Sequence, residues 1–259
     1  MEKNNNINFN HWFFDLDNTL YCANSGIFDQ IHKRMGEYIS KKLIDNKNII
    51  QILVTSKKIK KKYYYQLNIK KVQSIKKFLF FIKKKYGEPD ILINNAAVNT
   101  TSNFNDFINN SIDEKIIETY TVNSISSLFF IKFFIKSIKK NKKKEKKVIN
   151  MLTRHAIWGN KRHVDYYSSK ASLYNATRSL ARDYPFFTFV NFMLGPIGYQ
   201  KDNRHPEIIW NEIQNIIFNK QIKNYREVYF ESFIFVIKTI LCDLLNNLKK
   251  IKIINPKKK

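Results

Sequence analysis

Cysteine, glycine, proline and negative charge are all scarce in this chain of 259 residues, and each shortage narrows what it can be. The two cysteines, Cys22 and Cys242, lie far apart. They exclude a disulfide framework, and with no signal-peptide pattern the expectation is reduced thiols in a cytoplasmic protein. Six glycines and five prolines leave no Pro/Gly/Ser-rich linker, and no repeat is visible, so residues 1–259 are expected to form a single domain. No uninterrupted apolar run is long enough to span a bilayer. The closest, Val228 to Leu245, is broken by Glu231, Lys238 and Asp243 and suits a half-buried helix, so no membrane partner is expected. Acidic residues number 21 against 46 Lys and Arg.

That imbalance gives a net charge of +25. Basic patches hold phosphate backbones by counterion release. Here, however, the lysines come with a surplus of Asn, Ile, Phe and Tyr along the whole length, which looks like the drift of an AT-rich genome. The expectation is a solvated basic surface with no nucleic-acid partner, still able to attract anionic small molecules. The densest run, Lys139 to Lys147, is expected to be a solvated loop.

What is abundant is alternation of strand-length apolar runs with helix-length amphipathic ones. Strands are expected at Trp12–Leu16, Ile49–Thr55, Tyr63–Ile69, Ile91–Asn94, Lys147–Thr153, Phe187–Met193 and Lys250–Ile254. Helices are expected at Phe28–Ile44, Lys71–Tyr86, Ile112–Ile138, Val164–Asp183, Pro206–Asn219 and Glu227–Asn246. Such alternation implies an α/β fold, a Rossmann-type doubly wound parallel sheet with ligands beyond the carboxyl ends of its strands.

One stretch, Val148 to Leu180, carries chemistry. Tyr-x-x-x-Lys occurs twice, as Tyr38…Lys42 and Tyr166…Lys170, but only the second has suitable company. A spacing of four puts phenol and ammonium on one helix face, where the cation favours the phenolate and makes the tyrosine a usable general acid. Tyr167 competes for the role. Thr153 ends the strand VINMLT thirteen residues before Tyr166, placed to donate to an oxygen that gains negative charge. Asn123 is a polar residue inside the apolar helical stretch YTVNSISSLFF, and DILINNAAV (Asp90–Val98) ends a buried strand in small residues that let a flat ligand approach the backbone.

Residues from about 34 to 254 resemble the short-chain dehydrogenase/reductase family. NNAA is similar to its Asn-Asn-Ala-Gly strand end, YYSSKAS to its Tyr-x-x-x-Lys helix, and VNFMLGPIG to the turn after its sixth strand. The resemblance implies Tyr166 as proton donor and Lys170 as the residue that lowers its pKa and binds the nicotinamide ribose. It further implies Thr153 as oxyanion donor in place of serine and Asn123 as holder of a proton-relay water. The Arg154–His163 loop, with His155, Trp158 and Arg162, is expected to line the pocket of a small-molecule substrate. The long helices at 112–138 and 164–183 match those that pair subunits in that family, implying a homo-oligomer.

On the cofactor side, Ser56 and Lys57 follow a strand with no acidic residue at its end, which suits the extra phosphate of NADP rather than NAD. Asn68 stands where the family has an aspartate near the adenine. Asn95, Ala96, Pro196 and Ile197 complete the expected cofactor contacts. The family's Thr-Gly-x-x-x-Gly-x-Gly turn is absent, however, with only Gly36 matching its last glycine.

Residues 12–36 instead resemble the opening of haloacid-dehalogenase-type phosphatases of the pyrimidine-nucleotidase branch, with Asp15, Asp17 and Thr19 in FFDLDNTLY. In that family the first aspartate attacks phosphorus and the second is general acid/base, with magnesium between them. No distal acidic pair follows to complete the metal site, so no metal is expected. The two resemblances together describe a chimeric N-terminus on a reductase. Asp15 and Asp17 would repel the cofactor's phosphates, so NADP binding is expected to be weakened. The leading expectation is an NADP-dependent reductase of a carbonyl or C=N group. The alternatives are an impaired or inactive reductase-like protein with a binding role, and a magnesium-dependent phosphatase.

Overall fold

The computed structural model describes residues 11–16, 51–56, 62–63, 67–99, 108, 113–138, 146–195, 206–218, 224–230, 237 and 241. Seven strands form one sheet: β1 (His11–Leu16), β2 (Gln51–Ser56), β3 (Lys62–Tyr63), β4 (Ile91–Asn94), β5 (Lys146–Thr153), β6 (Phe187–Leu194) and β7 (Tyr225–Tyr229). Their order is β3-β2-β1-β4-β5-β6-β7. From β1 through β4, β5, β6 and β7 every pairing is parallel, as expected for strands joined by helical crossovers.

The helices are α1 (Val72–Tyr86), α2 (Asp113–Tyr120), α3 (Ser127–Ser137), α4 (His155–Trp158), α5 (Val164–Asp183) and α6 (Pro206–Phe218). Alternation along the strands sorts apolar side chains to two faces. Leu92, Val148, Leu152, Phe189 and Met193 meet Ile75, Phe78 and Leu79 of α1, Phe130 and Phe134 of α3, and Leu173 of α5. On the other face Ile91, Ile93, Ile149, Val190 and Phe192 meet Ile209, Ile213 and Ile216 of α6. A doubly wound α/β sheet is the result. No helix among the described residues is long and apolar enough to cross a membrane.

Four expectations are corrected. The strand expected at Ile49–Thr55 exists as β2, but it runs antiparallel to β1, pairing His11 with Ser56 and Leu16 with Gln51. Of the strand expected at Tyr63–Ile69, Tyr63 lies in β3, residues 64–66 lie outside the described residues, and the chain turns near Asn68. Glu227, expected to open a helix, lies in β7, whose YREVY sequence is rich in residues that favour strands. Lys146 and Lys147, expected in a solvated run, are buried in β5. Lys146 Nζ meets Asp90 Oδ1 at 2.7 Å and the Pro89 carbonyl at 2.9 Å, and Lys147 Nζ donates to the Ile216 carbonyl at 2.7 Å. Compensation by oxygen ligands makes burial of the two ammonium groups tolerable. The strand expected at Lys250–Ile254 and the helix at Phe28–Ile44 lie outside the described residues.

Candidate active site

The expected catalytic residues cluster around the carboxyl end of β5 and the start of α5. Thr153, 7% exposed, closes β5. Its Oγ1 accepts a 3.4 Å hydrogen bond from the His155 N–H, which leaves the hydroxyl proton available as a donor. Helix α5 turns a mixed face to the sheet, burying Asp165, Ser169, Lys170, Leu173, Tyr174, Thr177 and Ala181 at helical spacing. Lys170 is 1% exposed; its Nζ lies 5.9 Å from the centre of the Tyr166 ring and donates to the Met151 carbonyl at 2.9 Å. So little solvent strengthens the electrostatic coupling of the ammonium to a nearby phenol.

Asn123 explains itself structurally. It sits in a π-helical stretch, Thr121–Ser126, that joins α2 to α3, and such insertions are frequent at functional sites. The side chain clamps the segment after β4: Oδ1 accepts from the Val98 N–H at 2.7 Å, and Nδ2 donates to the Val98 carbonyl at 2.9 Å. Nδ2 also donates to Ser169 Oγ at 3.0 Å, and Ser169 in turn donates to the Tyr166 carbonyl at 2.8 Å. Asn123 thus links the NNAAV segment to the turn of α5 that carries Tyr166. Both of its amide hydrogens are used in these contacts.

Tyr166 and Tyr167 are separated by their surroundings. The Tyr167 ring packs against His155 at 4.9 Å and His163 at 5.9 Å between centroids, and burial pushes its phenol above the ordinary value of 10.0. A phenol harder to ionise and committed to the loop is a poor proton donor. Burial, reinforced by the Arg154 guanidinium, lowers the His155 pKa below 6.5. Trp158 stands edge-on to His155 at 6.4 Å. The loop ends in two consecutive left-handed residues, Arg162 (φ 64°) and His163 (φ 50°), of which His163 Nδ1 meets Asn99 Oδ1 at 3.0 Å. Such backbone persists only where its surroundings enforce it.

The expected cofactor residues are brought together only in part. Ala96 and Ala97 are buried just beyond β4, with Asn95 half-buried beside them, so small residues do line that strand end. Asn68 is exposed in a turn, where its Oδ1 accepts from the Lys70 N–H at 3.0 Å. Ser56 is not brought to the site. Because β2 is antiparallel, Ser56 pairs with His11 at the amino end of β1, whereas Asn94 and Thr153 close their strands at the opposite edge. By register Asn94 lies four residues and Thr153 seven residues from the level of Ser56, about 13 Å and about 23 Å at strand rise. Lys57, Pro196, Ile197, Asp17 and Thr19 lie outside the described residues. Among the described residues no group of three His, Cys, Asp or Glu side chains is placed to hold a metal ion.

Sequence reasoning missed a row of amides across the sheet. Asn94, Asn150 and Asn191 share one register on β4, β5 and β6, with Glu227 beside Asn191 on β7. Asn94 Nδ2 donates to Asn150 Oδ1 at 2.7 Å, Asn150 Nδ2 to Asn191 Oδ1 at 3.0 Å, and Asn191 Nδ2 to the Tyr225 hydroxyl at 3.1 Å. A single asparagine within each apolar strand (LIN, VINML, VNFML) was the available signal.

This arrangement, a Rossmann-like sheet with a tyrosine and a buried lysine one turn apart behind a hydroxyl-bearing strand end, defines a class of oxidoreductase folds. Residues 21–195 match the short chain dehydrogenase family, and the chain belongs to it. The match begins at residue 21, inside the segment 12–36 expected to resemble a phosphatase. A short-chain dehydrogenase from Streptomyces avermitilis shares the fold at TM-score 0.59 and 12% identity, over 72% of this chain and 78% of that one. An alcohol dehydrogenase from the archaeon Thermococcus sibiricus, solved with 5-hydroxy-NADP, gives 0.58 and 16%, over 66% and 74%. The FolM alternative dihydrofolate reductase 1 of Brucella canis, solved with NADP, gives 0.52 and 16%, over 64% and 70%. No curated protein sequence matches.

Proposed function

We propose that the protein is an NADP-dependent oxidoreductase that reduces a carbonyl or C=N group, with Tyr166 as proton donor. The observation that carries this reading is the buried Lys170 ammonium 5.9 Å from the Tyr166 ring, on the helix that follows Thr153. A nicotinamide cofactor, when bound, supplies the hydride that adds to the substrate carbon. Thr153 donates a hydrogen bond to the substrate oxygen, or nitrogen, as its charge develops, and Tyr166 gives that atom its phenolic proton. Lys170 holds the resulting phenolate. Asn123 fixes the NNAAV segment against α5, with the water that returns a proton to Tyr166 held by its oxygens. The buried alanines at 96 and 97 suit a flat ring against the backbone, so the residues on this side fit the cofactor.

Preference for NADP draws support from the two similar structures solved with that cofactor or its 5-hydroxy derivative. Ser56 does not contribute to it from the opposite edge. Cofactor binding is weaker than in a protein with the full glycine turn. The test is Tyr166→Phe, assayed with NADPH on a carbonyl substrate that the unsubstituted protein reduces. Turnover should fall at least a hundredfold with the thermal midpoint unchanged; retention of turnover would remove Tyr166 from the role.

A second reading is a family member that has lost catalysis, favoured by the placement of Ser56 and by the missing glycine turn. Titration with NADPH, following nicotinamide fluorescence, separates the two. Saturation supports the reductase, and no binding at millimolar cofactor supports the non-catalytic protein.

A further inference from the structure

The amide row ends in a cluster that the proposed chemistry does not use. Glu227, half-buried on β7, receives three phenols: Tyr174 at 2.9 Å and Tyr225 at 2.7 Å on Oε1, and Tyr229 at 2.7 Å on Oε2. A carboxylate can only accept, so each phenol must donate. Tyr225 then accepts from Asn191, Asn191 from Asn150, and Asn150 from Asn94, all pointing toward the charge. The far end of such a one-way chain is an acceptor without a donor, and Asn94 Oδ1 is buried with no partner among the described residues.

Helix α5 is fastened to this row. On its sheet-facing side Tyr174 lies one turn beyond Lys170 and Thr177 almost a turn farther. Thr177 Oγ1 accepts from Asn150 Nδ2 at 3.0 Å, Tyr174 donates to Glu227, and Lys170 donates to the Met151 carbonyl. Three polar fastenings therefore fix how far α5 slides along β5 and β7. Apolar contacts alone are non-directional and define that position less sharply. Burial and the Glu227 carboxylate raise the Tyr174 phenol to about 12, so it stays a donor throughout any working range.

We propose that Glu227 and Tyr174 are positioning residues for the reaction, holding α5 at the height where the Tyr166 hydroxyl and Thr153 converge on one substrate atom. The proposal rests on the reductase reading. A shift of about 1 Å in a reacting group can lower a rate by about a hundredfold without touching the binding contacts.

The test compares Tyr174→Phe and Glu227→Gln with the unsubstituted protein, using NADPH and one aldehyde that the latter reduces. In Tyr174→Phe, kcat should fall tenfold to a hundredfold, while KM for the aldehyde and Kd for NADPH stay within threefold. The isotope effect with 4-deuterated NADPH should grow as the chemical step becomes limiting. Glu227→Gln, which keeps the shape and one oxygen able to accept from both Tyr174 and Tyr225, should lower kcat less than Tyr174→Phe does. A lowered thermal midpoint with kcat intact in both variants would make the cluster merely structural and overturn the proposal. Equal losses in kcat and NADPH affinity would overturn it too. Absence of turnover in the unsubstituted protein would sink the reductase reading first, and the proposal with it.

Discussion

The two halves of the sheet treat their polar residues differently. From β4 to β7 strand direction, register and hydrogen bonding agree: three side-chain pairs link Asn94, Asn150, Asn191 and Tyr225 across the strands, and two more, Asn150–Thr177 and Glu227–Tyr174, tie them to the helix that carries Tyr166 and Lys170. On the far side of β1, β2 reverses and carries Ser56 away from the edge where the candidate catalytic residues gather. The residues proposed for proton delivery lie on one strand end and the helix that follows it, within 30 residues of chain. The direction of β2 depends instead on a pairing between distant segments.

If the β4–β7 half is as tightly built as its contacts indicate, it should be the least forgiving of polar disruption. The largest effect is expected from Asp90→Leu, which leaves Lys146 buried without the carboxylate it meets at 2.7 Å. Breaking a buried pair from one side destabilises by about 3–5 kcal/mol. Chemical denaturation should show it as a drop in midpoint, and the double variant Asp90→Leu/Lys146→Met should recover most of the loss. A loss below about 1 kcal/mol in the single variant would mean that this corner takes up water and is no tighter than the other half.

Alkaline pH probes the opposite end of the same half. Tyr174 is raised from 10.0 to about 12, first by burial and then by Glu227, and Tyr225 and Tyr229 are raised further by the same causes. Above pH 10 the unfolded chain releases phenolic protons that the folded one keeps, so stability is complete below about 10 and falls as pH rises toward 12. Glu227→Gln should flatten that fall. His155 works on the acid side with the opposite sign. Its lowered pKa means the unfolded chain takes up a proton first, so stability declines as pH drops below about 6.5, and His155→Gln should remove that part of the slope.

How legible all this was in the sequence depended on distance along the chain. Helix α5 was read to the residue because Tyr166, Lys170 and its apolar positions repeat within a few turns. The strands β4, β5 and β6 were read to within a residue because apolar runs announce themselves. The direction of β2 was not, since an apolar run looks the same whichever way it pairs. Glu227 was taken for the first residue of a helix because YREVYFESF is compatible with both periods at that length. Lys147 was read correctly as strand, but it and Lys146 were expected to be solvated as part of a lysine run, whereas the approach of Asp90 and Ile216 from elsewhere in the chain allows their burial.

The smallest predicted effect bears most directly on the comparison. The sequence places Ser56 to recognise the extra phosphate of NADP, and in the structure it pairs with His11, seven residues of register or about 23 Å by strand rise from the level of Thr153. A residue whose backbone lies that far away is out of reach of the phosphate of a ligand seated over the carboxyl ends of the strands. Ser56→Ala should therefore change the ratio of NADPH to NADH affinity by less than twofold in fluorescence titration. A residue that did hold that phosphate through a charge-assisted bond would shift the ratio about tenfold or more. A tenfold shift would show that β2 runs parallel to β1 when the cofactor is bound, and that the reversed strand is the part of the fold that must be redrawn.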